Sequence, residues 1–136
     1  MTEPIIGDNC GFIFADGTDD CRGLASIVVR VPRGIRSKKK LFAIYADKLR
    51  FPGYFGWNWD AFEECLCDLS WIPSGRSIAI VHEDLPFGPG GVNRSIYLKL
   101  LRNSLDHWSA LGGRSVKVVL PVSYLNSFSP TANAQR

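Results

Sequence analysis

Residues 52–66 read Pro-Gly-Tyr-Phe-Gly-Trp-Asn-Trp-Asp-Ala-Phe-Glu-Glu-Cys-Leu, and this stretch contains the boundary between two predicted helices. Its proline and glycine end one helix, because proline disfavours helical geometry in the residue before it. Asn58 is a suitable N-cap for a second helix, predicted over residues 59–70. The apolar residues of that helix recur at intervals of three and four: Phe62, Cys65, Leu66 and Leu69. This spacing predicts a helix that buries one face.

The opposite face of this helix is acidic, and the loop before it is aromatic. The face carries Asp60, Glu63, Glu64, Cys67 and Asp68. The loop and first helical residue contribute Tyr54, Phe55, Trp57 and Trp59. Aromatic side chains beside charged ones are typical of protein-binding surfaces. An acidic helix face is also commonly just solvated, and Phe55, Trp59 and Phe62 remain candidates for the core. The residues alone therefore indicate a candidate acidic interface.

Flanking segments complete an α/β pattern. Strands are predicted over residues 26–31, 77–83 and 116–121, and further helices over residues 38–50 and 93–111. Strands separated by helices favour a parallel sheet, here a small one of three strands, covered by helices in a three-layer arrangement. We expect residues 1–24 to form a short N-terminal extension, in which residues 11–15 could be a strand. Residues 25–125 form the domain, and residues 126–136 a flexible C-terminal tail.

Composition limits the class of protein. A chain of 136 residues with 46% apolar and 21% charged residues suggests one ordinary globular domain. No apolar run reaches the roughly 20 residues of a membrane helix, and the first ten residues lack a signal-peptide pattern. A cytoplasmic location is therefore expected. Cys65 and Cys67 are predicted to be buried reduced thiols, because their spacing suits neither a disulfide nor zinc, whereas Cys10 and Cys21 could pair in an oxidising compartment.

Charge is unevenly distributed along the chain. From Trp57 to Asp84 there are six acids and one base, a net charge of −5 on a chain whose net charge is +3. Because a local field directs partners more than the net charge does, this asymmetry favours a directed acidic surface.

The segment resembles the characteristic sequence of the barstar family, which inhibits small microbial ribonucleases. The family pattern is proline-x-tyrosine-aromatic-glycine-x-asparagine-x-aspartate-alanine-aromatic-x-acid-cysteine-leucine. It is matched here by Pro52, Tyr54, Phe55, Gly56, Asn58, Asp60, Ala61, Phe62, Glu64, Cys65 and Leu66. The resemblance extends from Ser26 to Leu125 and includes the order of the elements and the length of the first helix.

The resemblance implies a function and a site. Barstar-like inhibitors insert this loop and helix into the nuclease cleft, so Asp60 and Glu64 are expected to occupy positions that substrate phosphates would fill. Tyr54 would pack against the catalytic region, Gly56 and Asn58 would shape the loop, and Trp59 would lie at the contact edge. The full expected partner-binding set is Tyr54, Phe55, Gly56, Trp57, Asn58, Trp59, Asp60, Glu63 and Glu64.

The same resemblance implies a stoichiometric inhibitor with an immunity or antitoxin role, and no enzyme. Its partner would be a small ribonuclease or other toxin nuclease, bound one-to-one by a monomer. No cofactor, metal, membrane or direct nucleic-acid contact is expected. Two departures from the family stand out. Glu64 replaces the usual aspartate, which moves the carboxylate by about one bond length, and the chain is basic overall, whereas the best-known members are acidic.

Two other functions are compatible with parts of the sequence. The basic cluster between Arg33 and Lys40 could contact nucleic-acid phosphates, although a solvated helix start gives the same composition. Asp60 and Glu64, four residues apart, could serve a carboxylate-dependent hydrolase, but such pairs usually come from separate elements around a cleft. His82 and His107 are expected to be ordinary polar residues.

Overall fold

The computed structural model describes residues 5–9 (backbone only), 12–15, 25–53 and 55–124. The strands are β1 (Ile5–Asn9), β2 (Phe12–Ala15), β3 (Ile27–Val31), β4 (Ile78–His82) and β5 (Val116–Pro121). The helices are α1 (Lys38–Leu49), α2 (Trp59–Asp68) and α3 (Val92–Leu111). In the described part of the chain, no helix is long and apolar enough to cross a membrane.

The strands form one sheet in the order β1-β2-β5-β4-β3. Strands β2, β5, β4 and β3 are parallel, and β1 is antiparallel to β2. The α/β class and the parallel sheet are as predicted, but the prediction of three strands was wrong: the described residues form five strands, four of them parallel. The two added strands come from residues expected to be an extension. The strand suggested for residues 11–15 is confirmed as β2, which pairs with β5 from Phe12↔Val118 to Ala15↔Pro121.

All described helices pack on one face of the sheet, so the three-layer prediction was wrong for this part of the chain. Alternate strand residues such as Val29, Ile80 and Val118 join the buried helix residues in one core cluster. A second cluster on the opposite face, which includes Ala79 and Val119, contains no helix residue. The chain steps from β3 to β4 to β5 in one direction across the sheet. Because crossovers between parallel strands are right-handed, successive steps in one direction place their helices on the same side.

Local capping explains where α1 and α2 begin and end. The Ser37 side chain accepts a hydrogen bond from the Lys40 N–H, and the Asn58 side chain accepts one from the Ala61 N–H at 2.8 Å. The Asn58 cap falls where the sequence predicted it, and α1 begins at the predicted residue 38. The helices end at Arg50 and Leu69, each in the left-handed conformation that commonly closes a helix. Helix α2 therefore stops at Asp68, slightly before its predicted end.

A chain of buried polar groups links four elements beneath α2. His82 on β4 lies 2.7 Å from the Tyr97 hydroxyl through Nε2 and 3.0 Å from the Val119 carbonyl oxygen through Nδ1. Because a carbonyl only accepts, Nδ1 carries the proton and Nε2 accepts from Tyr97. The hydroxyl of Tyr45 then donates to that of Tyr97. Each group has a partner only when His82 is neutral, and burial lowers its pKa to about 4.

This arrangement makes the fold sensitive to acid. An unfolded histidine binds a proton with a pKa of about 6.5, so lowering the pH from 7 to 4 favours the unfolded chain. The stabilisation is complete above pH 6.5 and is lost as the pH falls toward the folded pKa of about 4. We predict that wild type loses about 3 kcal/mol more unfolding free energy between pH 7 and pH 4 than His82→Gln. Denaturant titrations of both proteins measure this, and equal pH slopes would contradict the assignment.

The α2 face that packs on the core should dominate its contribution to stability. Phe62 and Leu66 are buried in the main cluster. We predict that Phe62→Ala or Leu66→Ala lowers the unfolding free energy by about 2–5 kcal/mol, through lost burial and the cavity left behind. The exposed Glu64→Ala on the same helix should change it by less than about 0.5 kcal/mol. Urea unfolding checks the comparison, and a similar loss for all three variants would show that this face is not the buried one.

Candidate protein-binding site

An aromatic cluster fixes the start of α2 against α1. The Phe42 ring lies at the centre, with ring centroids 5.1 Å from Phe62, 5.2 Å from Trp59 and 5.6 Å from Phe55. The edge-to-face geometry of the Phe55 and Trp59 contacts is a favourable one for aromatic rings. Phe55 is only 6% exposed, so its side chain belongs to the core, while Trp59 is half-buried beside it. Phe55 and Trp59, which were predicted to bind a partner, therefore also pack against the core and hold the loop in place.

Trp57 is placed differently from its aromatic neighbours. It is 49% exposed, and its ring lies 5.3 Å from Phe55 and 6.5 Å from Phe42. The loop presents one side of the indole to solvent and holds the other against the cluster. Tyr54, which the sequence also placed in the site, lies outside the described residues.

Asn58 shapes the turn between this loop and α2. Its side chain caps the helix through Oδ1 and donates from Nδ2 to the Gly56 carbonyl oxygen at 3.3 Å. A Cβ atom at residue 56 would lie 3.1 Å from that same Nδ2, closer than side chains normally approach. Any larger residue at position 56 would push the Asn58 amide by a few tenths of an ångström, so glycine favours the geometry of both bonds. The expected role of Gly56 and Asn58 in forming the loop has a direct geometric basis.

The acidic residues of α2 separate into two groups. Asp60, Glu64 and Asp68, spaced four apart, are exposed along one stripe. Within the described part of the chain, neither Asp60 nor Glu64 has a hydrogen-bond or ion-pair partner. Glu63 instead turns toward α3, where it accepts a hydrogen bond from the Asn103 side chain at 3.0 Å. The structure thus brings Asp60 and Glu64 together on the open surface and uses Glu63 to join two helices.

The two cysteines of α2 differ in burial: Cys65 is buried and Cys67 is half-buried. Cys65 and Cys67 are both free thiols, as predicted, whereas Cys10 and Cys21 lie outside the described residues. Burial, with the nearby carboxylates of Asp68 and Glu64, raises the pKa of the Cys65 thiol. Burial also raises the pKa of Cys67, whose thiol lies 3.8 Å from the Ser104 hydroxyl. Neither thiol is activated for nucleophilic chemistry.

The loop after β4 packs against Trp59 through Phe87, a contact that was not predicted from the sequence. The Arg94 guanidinium donates to the carbonyl oxygens of Leu85, Pro86 and Phe87, with the shortest bond, 2.9 Å, to Phe87. The Phe87 ring then lies 6.0 Å from Trp59. Arg94 lies within the helix predicted over residues 93–111, but its role could not be predicted, because its carbonyl partners are brought close only by the tertiary fold.

The residues behind the alternative functions lie elsewhere or lack a cleft. Arg33, Arg36 and the lysines at 38–40 are exposed around the start of α1, about one turn from Phe42. Asp60 and Glu64 project from one exposed helix face rather than from facing walls. Among the described residues, no three His, Cys, Asp or Glu side chains lie close enough to hold a metal ion.

Comparison with known proteins agrees with this geometry. The family model described as Barstar (barnase inhibitor) matches residues 27–121, which is well over half of the chain. A search of curated proteins gives no significant match. The matched region runs from the start of β3 to the end of β5 and contains the capped helix, its exposed carboxylates and the loop before it. The chain therefore belongs to the barstar family.

Proposed function

We propose that this protein is a stoichiometric inhibitor of a small ribonuclease, and that α2 with the loop before it enters the nuclease active site. The observation that carries the proposal is the pair of exposed carboxylates, Asp60 and Glu64, which have no partner within the described part of a barstar-family chain. Carboxylates left without an internal partner on a rigid element are available to a cationic partner. A nuclease cleft, which binds phosphates, offers that chemistry.

The chemistry of the pair suits substitution for phosphate. A carboxylate accepts charge-assisted hydrogen bonds from arginine and lysine, and these bonds are about twice as strong as neutral ones. Residues four apart on a helix lie about 6 Å apart at Cβ, so both carboxylates can enter one cleft. Asp60 stands in the first turn, where the helix dipole favours a negative charge. The helix can therefore carry this charge without an internal counter-ion.

Preorganisation supports tight binding. The Asn58 cap, the aromatic cluster below Phe55 and the Arg94 contacts fix the loop and helix before any partner arrives. Less conformational freedom is then lost on association, so more of the interaction energy appears as affinity. Glu63 contributes to binding indirectly, because its hydrogen bond with Asn103 sets how α2 packs on α3. We place the partner-facing role on Trp57, Asp60 and Glu64, with Trp59 at the contact edge.

Several finer features follow from the proposal. Glu64 stands where the family usually has aspartate, so the cationic pocket of the partner should lie slightly deeper than in other pairs of this kind. A monomer that blocks one cleft binds one-to-one. An inhibitor of a toxic ribonuclease protects the cell that contains it, which implies an immunity or antitoxin role in the cytoplasm rather than catalysis.

The experiment is a titration of ribonuclease activity. Purified protein is added to barnase and to a set of other small basic microbial ribonucleases, and RNA cleavage is followed. We expect complete loss of activity at one equivalent for at least one of these enzymes. If none is inhibited at micromolar concentration, the proposal is wrong, and binding of the protein to RNA alone would redirect attention to the basic cluster between Arg33 and Lys40.

The carboxylates should carry this inhibition. We predict that Asp60→Ala and Glu64→Ala each weaken inhibition by at least tenfold, because each leaves buried cationic groups of the nuclease without a partner. Unfolding free energies should stay within about 0.5 kcal/mol of wild type, since both side chains are exposed. Asp47→Ala, an exposed aspartate on α1, is the matched control and should inhibit like wild type. Inhibition by both variants at the wild-type level would place the site elsewhere.

A further inference from the structure

Trp57 has a backbone conformation that its side chain does not favour. Four non-glycine residues among those described have positive φ: Arg50, Trp57, Leu69 and Phe87. Arg50 and Leu69 close helices, where the left-handed conformation is common. Trp57, at φ 56°, lies instead before the N-cap of α2, where nothing about a helix end requires this geometry. For a bulky residue such a conformation costs free energy and is usually kept for a reason.

Packing supplies a reason for Phe87 but not for Trp57. Phe87 is buried, and its N–H donates to the Ile35 carbonyl oxygen at 2.7 Å. Its carbonyl oxygen accepts a hydrogen bond from Arg94. Trp57 is 49% exposed, so much of its indole contributes nothing to the core. Glycine would adopt this backbone at lower cost and would leave the contacts among Phe42, Phe55 and Phe62 in place. The fold alone therefore does not account for a tryptophan at this position.

The indole is nevertheless held in place. Its ring packs at 5.3 Å and a 38° tilt on Phe55, which is itself fixed against Phe42. Asn58, the next residue, is bonded on both sides of the turn. A large aromatic ring that is already ordered loses little freedom on binding, and this is why tryptophan is enriched among the residues that dominate interfaces. Among the described residues, the other exposed large apolar side chains are Val92 and Leu111, which lie singly at the two ends of α3.

We infer that Trp57 is a specificity-determining contact of the inhibitory surface, one that inserts into an apolar recess at the rim of the cationic cleft of the partner. The inference rests on the proposed function and adds to it the chemistry of the partner. Asp60, three residues later, requires a cationic group, and Trp57 requires an uncharged, apolar-walled site beside it. A nuclease with a charged or fully hydrated rim would have to desolvate that rim against the indole, and it would be rejected.

The test uses three substitutions at Trp57, measured on the full chain against whichever ribonuclease of the panel is inhibited most strongly. Trp57→Gly and Trp57→Asn both suit positive φ, but only glycine loosens the loop. Trp57→Phe keeps a smaller aromatic ring. We expect the glycine and asparagine variants to weaken inhibition at least tenfold while their unfolding midpoints stay at or above that of wild type. The phenylalanine variant should lose less than the asparagine variant.

Salt dependence separates an apolar contact from an electrostatic one. Raising ionic strength screens exposed charges but not a buried apolar contact. The fold-loss caused by Trp57→Asn should therefore be the same at low and high salt, whereas that caused by Asp60→Ala should shrink at high salt, because salt screens the long-range attraction that brings the carboxylate to the cationic cleft. Wild-type inhibition by Trp57→Asn would overturn the inference, as would a loss confined to Trp57→Gly, which would indicate loop flexibility. A Trp57→Asn loss that shrinks with salt as much as the Asp60→Ala loss would also overturn it.

The two proposals fail in different ways. If no ribonuclease of the panel is inhibited, the proposed function fails and the inference fails with it. If the Asp60→Ala/Glu64→Ala double variant inhibits weakly but every Trp57 variant inhibits like wild type, the proposed function stands and Trp57 has no part in recognition.

Discussion

The burial of Phe62 determines which residues of α2 are exposed to solvent. The ring lies against Phe42, Tyr45, Trp59 and Tyr97, with the shortest centroid distance, 4.7 Å, to Tyr45. These neighbours come from α1, α2 and α3, so one side chain fixes both the position and the rotation of α2. With Phe62 turned inward, helical geometry turns Asp60 and Glu64 outward. The exposed carboxylates are thus a consequence of core packing, and the site is as rigid as the core beneath it.

Polar side chains then secure the parts that apolar packing does not reach. The chain from Tyr45 through Tyr97 and His82 to the Val119 carbonyl ties α1, α3, β4 and β5 together. Arg114 donates to four backbone carbonyl oxygens of the segment after α2, at Leu69, Ile72, Pro73 and Arg76. Arg94 does the same for residues 85–87 on the other side of the site. The buried hydroxyl and imidazole groups of the first network all find partners, as a protein interior requires, whereas the bonds of the two arginines lie in part-buried or exposed positions.

Local sequence signals predicted much of this structure, and the exceptions have a common cause. The Asn58 cap, the two faces of α2 and the free thiols all follow from patterns within a few residues. The partner of Glu63 could not be predicted this way, because Asn103 lies 40 positions along the chain. The depth of Phe55 and the role of Arg94 likewise depend on distant segments. The strand at residues 11–15 was predicted, but its place in the sheet was not, because its pairing with β5 joins segments as far apart in sequence as Phe12 and Val118. What is local could be predicted, and what depends on tertiary neighbours could not.

We propose that the surface formed by residues 55–68 is the one that meets a nuclease. Hydrogen–deuterium exchange of the protein, free and saturated with a ribonuclease that it inhibits, measures this surface. We expect protection on binding to be concentrated in the loop before α2 and the first turns of α2, with no change around residues 33–40 or along β3. Protection centred on residues 33–40, or none in residues 55–68, would contradict it.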